Sequence, residues 1–390
     1  MLEEKLGDLI ESISEKYDVK KDKVILINTS DVLEGKIINH KYVENKNLKG
    51  QFKKSFRKND ILYSEIRPQN KRFAYVDIES DDYVASTKLM VLRTKNNNVY
   101  SEYIFQFLKT PKVIEELQSL AETRSGTFPQ ITFNEIANLK INLPEKTQQK
   151  KVVSILESID KKIEINNKIN HNLENQINLI YKYMFVDNMD VSWKLGTIED
   201  LGKVVGGSTP SKAKQEYYTD DGIVWITPKD LSINKSKFIN KGNIDITEIG
   251  FKNSSVQLMP KGTVLFSSRA PIGYIAIADN QLTTNQGFKS IVPFEKIGTT
   301  YVYCFLKNNI DKIKSVASGS TFKEVSGSVM KSIEAIVPSD EILENFNAIC
   351  NPIVQTQRNL ENENEKLRKI RDMLLPRLMN GEIDVSNISL

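Results

Sequence analysis

The side chains best suited to chemistry in this sequence are basic residues of the kind that contact nucleic-acid phosphates. From Lys49 to Arg72, eight basic residues face two acidic ones, which makes this stretch +6 in a chain of net charge +4. Aromatic residues are interleaved with them, a composition that suits contact with phosphates and bases. A solvated charged face remains the alternative interpretation. The candidate DNA contacts here are Lys53, Lys54, Arg57, Lys58, Arg67, Lys71 and Arg72.

A second set of candidates lies in the other half of the chain. Arg269 follows Phe266-Ser267-Ser268, much as Arg67 follows Tyr63-Ser64. An arginine at a strand end can reach guanine O6 and N7 in the major groove, or it can close a structural ion pair. Short polar or basic loop residues complete the set, with capping and turn roles as the alternative: Ser208, Thr209, Lys212, Lys229, Thr321 and Lys323.

Catalytic and metal-binding patterns are missing from the sequence. There is no phosphate-binding Gly-x-x-x-x-Gly-Lys-Ser/Thr loop and no Asn-Pro-Pro-aromatic motif of adenine methyltransferases. Two histidines, His40 and His171, and two cysteines are too few for a usual zinc site. We therefore predict no catalytic residue and no metal site. The few cysteines, the lack of a long apolar run and the polar N-terminus lead us to expect a cytoplasmic protein.

The sequence is a duplication with an offset of 194 residues. Thr127-Phe128 falls on Thr321-Phe322, and Leu143-Pro144 falls on Val337-Pro338. Because 390 residues exceed one ordinary domain, the repeat predicts two similar halves.

Each half ends in a segment whose apolar residues recur at alternating steps of three and four. This spacing predicts long helices with a heptad seam, and two matched seams favour pairing as an antiparallel coiled coil. Packing of each helix on its own half is the alternative. Asn166 and Asn170 interrupt the first seam, a device that can fix register, and Pro352 should kink or restart the second helix. The predicted seam residues are Leu156, Ile159, Ile163, Leu173, Ile177, Ile180, Phe346, Ile349, Ile353, Leu360, Leu367, Ile370 and Leu374.

We therefore predict an α+β fold with an internal pseudo-two-fold repeat. Two mixed α/β domains, residues 1–144 and 187–338, are separated by two long helices, residues 145–186 and 339–382, with a tail at 383–390.

Six segments recur in a fixed order along the second half of the chain: Trp193–Gly196 (WKLG), Gly206–Pro210 (GGSTP), Ile223–Leu231 (IVWITPKDL), Leu265–Gly273 (LFSSRAPIG), Thr284–Phe288 (TNQGF) and Leu374–Ile383 (LLPRLMNGEI). Taken together, they resemble the specificity subunit of type I restriction–modification enzymes. The first half departs from this pattern, lacking the initial tryptophan, the Gly-Ser-Thr-Pro element and the Trp-Ile strand, but it keeps Ser125–Phe128 through Leu143-Pro144.

The resemblance implies two target recognition domains, each reading one half of a split, asymmetric DNA site. It further implies that the paired helices act as a ruler for the bases between the half-sites. Modification subunits would bring S-adenosylmethionine and methylate adenine N6. Restriction subunits would bring ATP-driven translocation and cleavage with Mg²⁺, so this chain would bind no cofactor itself.

Two other classes of function remain in view. One is a coiled-coil scaffold that joins two protein-binding domains without any DNA role. The other is an enzyme with an unrecognised site, against which the missing catalytic patterns argue.

Overall fold

The computed structural model describes residues 2–46, 48, 50–123, 129–319 and 323–388. The chain divides into two compact units. The first contains residues 1–162 and 366–390, and the second contains residues 163–365. In the part of the chain that is described, no helix combines the length and the hydrophobicity needed to cross a membrane.

The first unit alternates short strands with a few helices. Pro111 separates α2 from α3, as a proline at the first position of a helix can, in agreement with the sequence pattern. The elements are β1 (Leu2–Lys5), α1 (Leu6–Leu9), β2 (Ile10–Ile13), β3 (Lys23–Ile27), β4 (Val32–Leu33), β5 (Lys36–Ile37), β6 (Tyr42–Glu44), β7 (Phe52–Lys54), β8 (Ile61–Ser64), β9 (Phe73–Tyr75), β10 (Tyr83–Ser86), β11 (Leu89–Thr94), α2 (Ser101–Leu108), α3 (Pro111–Glu122), α4 (Phe133–Ala137), β12 (Lys140–Leu143) and α5 (Lys146–Lys182).

Two sheets form the body of this unit, with strand orders β2-β11-β8-β9 and β6-β3-β10-β7. The first is antiparallel throughout, and in the second β3 and β10 run parallel. β8 reads Ile-Leu-Tyr-Ser and is buried along its whole length, as a central strand covered on both faces should be. Tyr63 packs in one apolar cluster and Leu62 in another, because successive side chains of a strand point to opposite faces of the sheet.

The second unit repeats this plan with longer central strands. Its elements are β13 (Lys194–Thr197), α6 (Ile198–Leu201), β14 (Gly202–Gly206), β15 (Tyr218–Thr219), β16 (Trp225–Ile226), α7 (Pro228–Ile233), β17 (Phe238–Ile239), β18 (Asp245–Ile246), α8 (Glu248–Lys252), β19 (Val264–Ser268), β20 (Ile272–Ala278), β21 (Thr283–Thr284), β22 (Lys289–Pro293), α9 (Thr299–Asn308), α10 (Ile310–Ser315), α11 (Gly327–Ser332), β23 (Glu334–Val337) and α12 (Asp340–Met379).

The strand orders of the two units confirm the internal repeat. The sheet β14-β22-β19-β20-β17 reproduces β2-β11-β8-β9 and adds β17 at one edge. The parallel pair β16-β21 corresponds to β3-β10. Likewise, the antiparallel pair β13-β23 corresponds to β1-β12, with β23 displaced from β12 by the 194 residues seen in the sequence.

The long helices α5 and α12 pair antiparallel within each unit. In the first unit, Arg371 of α12 donates to Asp160 of α5 at 2.9 Å, and Gln148 near the start of α5 donates to Ser386, beyond the end of α12. In the second, Asn166 bonds Asn364, and further along α5 Tyr181 meets Phe346 at 6.2 Å between ring centroids. The predicted pairing is therefore confirmed separately in both units.

The predicted seam residues of α5 are all buried or half-buried, whereas two of those of α12 are exposed. Ile349 and Ile370 are 51% and 42% exposed, so their assignment to the seam is wrong. Cys350, Gln357 and Asn364 are buried instead, and a search for apolar spacing passes over polar side chains. The other predicted residues are buried or half-buried: Leu156, Ile159, Ile163, Leu173, Ile177, Ile180, Phe346, Ile353, Leu360, Leu367 and Leu374.

Pro352 does not restart the second helix. Helix α12 is continuous from Asp340 to Met379 and passes through this residue. A long amphipathic helix held by tertiary packing tolerates the missing hydrogen bond that an isolated helix would not.

Candidate nucleic-acid interface

Loops of the second unit meet at one edge of its sheet, and we call them the second loop cluster (residues 207–212, 227–229, 268–270, 285–287 and 323–324). Backbone hydrogen bonds join them, from Ser208 N to Thr284 O at 2.9 Å and from Ser268 N to Gly287 O at 2.8 Å. Asn285 N also donates to Ile226 O at 3.0 Å. Segments more than 70 residues apart in sequence therefore form one surface.

Gly207 allows two of these loops to touch. A Cβ added here would lie 1.9 Å from Asn285 O, so every other residue type would push the loops apart. At the neighbouring Gly206, the nearest atom to an added Cβ is Lys289 Cδ at 3.9 Å. The indole nitrogen of buried Trp225 holds the same loop by donating to Ser208 O at 3.0 Å.

Polar side chains of this cluster are oriented by one another. The hydroxyls of Ser208 and Ser255 lie 2.9 Å apart, and the hydroxyl of Thr209 donates to the amide oxygen of Gln286. Gln286 is exposed, and its amide nitrogen remains able to donate. Lys212 is exposed on the same loop as Thr209.

Lys229 stands at the start of α7, where a capping box sets the backbone. Thr227 N and its hydroxyl donate to Asp230 Oδ2 at 2.7 and 2.6 Å, and Asn243 N donates to Asp230 Oδ1 at 3.0 Å. Asp230 is buried, whereas Lys229 between the two capping residues is exposed. A buried, fully bonded carboxylate thus fixes a lysine that faces solvent.

Arg269 takes part in the ion pair that the sequence left as its alternative role. It is half-buried with Nη1 3.6 Å from Glu324, and Lys289 approaches the same carboxylate at 3.3 Å. The ion pair with Glu324 restricts the conformations of the Arg269 guanidinium at the edge of the second loop cluster. Lys323 is exposed beside Glu324, whereas Thr321 lies outside the described residues.

The first unit has an equivalent group of loops, which we call the first loop cluster (residues 28–34, 65–72 and 86–88). Asn28 and Asp31 form a capping box after β3, where Thr227 and Asp230 form one after β16. The loop after β10 occupies the place of residues 285–287. The structure thus places a counterpart to the Trp-Ile strand that sequence comparison found missing.

The basic stretch before Arg72 does not form the single patch that its sequence suggested. Arg57 and Lys58 precede β8, which begins at Ile61, and Lys58 pairs with Glu79 at 3.6 Å. Arg67 and Lys71 lie beyond the opposite end of β8, in the first loop cluster. Because consecutive residues of a strand rise about 3.3 Å each, the strand separates the two groups.

Two of the predicted DNA contacts are committed to the fold. Lys54 Nζ donates to Leu89 O at 2.9 Å, and burial lowers the pKa of its ammonium group. Arg72 Nη1 donates to Ser30 O at 3.0 Å and so ties two loops of the cluster together. Arg67 and Lys71 are exposed members of the first loop cluster, although Lys71 has Glu34 at 3.6 Å. Lys53 is exposed on β7, the strand that pairs with the end of β10.

The structure adds Gln286 and Lys88 to the candidates. Gln286 belongs to the TNQGF segment, and its residue type is a signal in itself, since glutamine reads adenine by paired hydrogen bonds. Lys88 in the first loop cluster lies 3.4 Å from Glu65. No sequence signal marked Lys88, because its place follows from strand pairing alone.

Across residues 2–46, 48, 50–123, 129–319 and 323–388, no three His, Cys, Asp or Glu side chains converge as metal ligands. Cys304 and Cys350 are buried free thiols, and burial raises the pKa of Cys304 to about 12 and that of Cys350 to about 11. Neither thiol has the low pKa of a reactive cysteine.

Known proteins provide the family context. The type I restriction modification DNA specificity domain matches residues 3–175 and 190–371. The HindI specificity subunit of Haemophilus influenzae is 32% identical, covering 97% of this chain and 98% of that protein. The MjaIX specificity subunit of Methanocaldococcus jannaschii is 40% identical over 49% of this chain and 44% of its own. The type I restriction–modification S subunit from M. genitalium shares the fold, with a TM-score of 0.58 at 15% identity, over 97% of this chain and 96% of that one.

Proposed function

Because the chain belongs to the type I restriction–modification DNA specificity family, we propose that it reads a DNA site in two parts, one with each loop cluster. The chain is the non-catalytic DNA-recognition subunit of such a system. The observation that supports two-part reading is the repeated strand order, which gives each unit its own loop cluster at the same sheet edge.

In the second unit, we assign phosphate contact to Lys212, Lys229 and Lys323, which are exposed. Base reading falls to Ser208, Thr209, Gln286 and Arg269, whose side chains are held by neighbours. In the first unit, Lys53, Arg67 and Lys71 have the phosphate role. Phosphate contacts position the protein, whereas oriented polar groups carry the sequence information.

The paired helices are assigned the role of a ruler between the half-sites. Each wrong base pair costs about 1–3 kcal/mol, so two domains at a fixed distance multiply their discrimination. A rigid link also gives the second half-site a high effective concentration once the first is bound.

Partner subunits supply the chemistry in this proposal. Modification subunits bind S-adenosylmethionine and methylate adenine N6 within the site, and restriction subunits use ATP and Mg²⁺. This chain directs both and binds none of these cofactors.

The test is to co-express the full chain with an adenine methyltransferase subunit and to map methylated adenines across a genome. We expect one motif of two specific parts with a constant gap. Methylation without a two-part motif contradicts the proposal.

Adjacent glycines give a matched pair of variants for the second half-site. Gly207→Ala should abolish recognition of one part of the motif, because the added Cβ would displace the loop of Ser208 and Thr209. Gly206→Ala should leave the motif unchanged, because its added Cβ would make only an ordinary contact, with Lys289 Cδ at 3.9 Å. If Gly207→Ala leaves both parts of the motif unchanged, as Gly206→Ala should, the second loop cluster does not contact the DNA bases.

A further inference from the structure

A buried charged cluster in the second unit shares no residue with the second loop cluster, and we call it the anchor cluster (Glu174, Lys237, Tyr303, Lys307, Gln357 and Glu361). Lys237 Nζ is 2.9 Å from both Glu174 Oε2 on α5 and Gln357 Oε1 on α12, and 4.4 Å from the ring centroid of Tyr303. One lysine of the recognition domain is therefore bound to both long helices.

The cluster is enclosed by the fold and its charges are compensated. The side chains of Lys237 and Glu174 are 6% and 17% exposed. Burial alone raises the pKa of Glu174, but Lys237 and Lys307 outweigh this effect and lower it to about 2. The two lysines therefore favour the ionised form of the Glu174 carboxyl group.

The backbone around Lys237 is bound as firmly as its side chain. Glu361 of α12 accepts the N–H groups of Lys237 at 3.0 Å and Phe238 at 3.1 Å. Because both carboxylate oxygens take part, this segment has a defined orientation on the helix, which apolar packing alone would not fix.

The anchored segment leads directly to the loop cluster. Only residues 234–236 separate Lys237 from α7, the helix that begins beside Lys229. On the other side, β17 pairs with β20, which pairs with β19, and β19 ends at Ser268, the residue before Arg269. The anchor cluster thus connects the two long helices to two parts of the proposed DNA surface through short, regular elements.

We propose that Lys237 and Glu174 are positioning residues that orient the second loop cluster on the paired helices and thereby set which gap between half-sites is accepted. This inference rests on the proposed two-part reading. One base pair shifts a half-site by about 3.4 Å along the DNA axis, so a recognition domain that can tilt on its helices tolerates neighbouring gaps.

The test uses Lys237→Met and the double variant Lys237→Met with Glu174→Gln in the full chain, co-expressed with the methyltransferase subunit. Lys237→Met leaves a buried carboxylate without one of its cations and should lower thermal stability, and removing both charges should recover part of it. Both variants should methylate sites whose gap differs by one base pair at least about tenfold more than the wild type does, a loss of about 1.4 kcal/mol of discrimination.

Lys312→Met is the matched control, because Lys312 pairs with Glu334 at 3.1 Å on the surface of the same unit. It should keep the wild-type gap. A folded double variant that recovers stability and still accepts only the wild-type gap overturns the inference and shows that the anchor cluster only stabilises the unit. A wild type without a two-part motif refutes the proposed function instead, so the two failures are distinct.

Discussion

Replacing the buried amides between α5 and α12 tests whether polar seam residues stabilise the helix pair or specify its alignment. Asn166 is fully buried, and its Nδ2 donates to Glu363 Oε2 at 2.8 Å and Asn364 Oδ1 at 2.9 Å. Its own Oδ1 has no hydrogen-bond partner among the described residues. Asn364 Nδ2 in turn donates to Asn167 Oδ1 at 2.9 Å.

The geometry predicts that single substitutions lower the free energy of unfolding and that the double substitution does not. Asn166→Leu removes the donor to a buried oxygen of Asn364 and should lower the free energy of unfolding by about 1–3 kcal/mol. Asn364→Leu should cost a similar amount, because it removes an acceptor of the buried Asn166 Nδ2, whereas water can replace the donor that exposed Asn167 Oδ1 loses. The double variant removes the buried polar group on each helix and should equal or exceed wild-type stability by up to about 1 kcal/mol.

Reversible urea unfolding of the full chain, followed by circular dichroism, measures all three differences and their coupling energy. Asn175→Leu serves as the control on α5, since Asn175 is exposed and should change stability by less than about 0.5 kcal/mol. An Asn166→Leu variant that is at least as stable as the wild type would refute the reasoning, because it would show that the amide hydrogen bonds are replaced without cost.

Three further predictions follow from charged groups. The charged neighbours of Glu174 lower its pKa from an ordinary 4.5 to about 2. Its ionised form therefore stabilises the fold above pH 4.5, and this stabilisation is lost as the pH falls towards 2. Glu174→Gln should make the free energy of unfolding, measured in urea, depend less on pH in this range, and an unchanged dependence contradicts this. Arg93→Met should lower the free energy of unfolding by about 3–5 kcal/mol, because it leaves the carboxylate of Asp60, which is 1% exposed, without its bidentate partner. As the control, Lys140→Met in an exposed ion pair should lower it by less than about 1 kcal/mol in the same unfolding assay. Lys229→Ala should reduce the slope of log affinity against log salt by about 0.9 if it contacts a phosphate, with Lys252→Ala, exposed on α8, leaving the slope unchanged.

Apolar periodicity and internal repetition made most of the fold predictable. Helix α5 was assigned correctly because Leu156, Ile163 and Ile177 occupy its seam. Helix α12 was assigned only in part, since Gln357 and Asn364 are buried through hydrogen bonds to the partner helix, which no single-helix pattern reveals.

The candidate interface was less predictable than the fold. The second loop cluster could be approached through its motifs, but the binding of Arg72 to Ser30 O, or of Lys54 to Leu89 O, depends on residues brought together by strand pairing. A run of basic residues in a sequence does not show which of them form hydrogen bonds within the protein and which remain available to DNA. The hydrogen bond between Thr209 and Gln286 likewise could not be predicted from the sequence, because the two residues meet only in the folded structure.

The division of the chain also bears on how a nascent chain folds on the ribosome. Leu375, Leu378, Met379 and Val385 belong to the apolar core of the first unit, although they follow the whole second unit in the chain. Residues 163–365 contain every part of the second unit. The usual order, in which an N-terminal domain folds first, is therefore reversed: the second unit can close first, while the first keeps unfinished hydrophobic surface until residues 366–390 have been made.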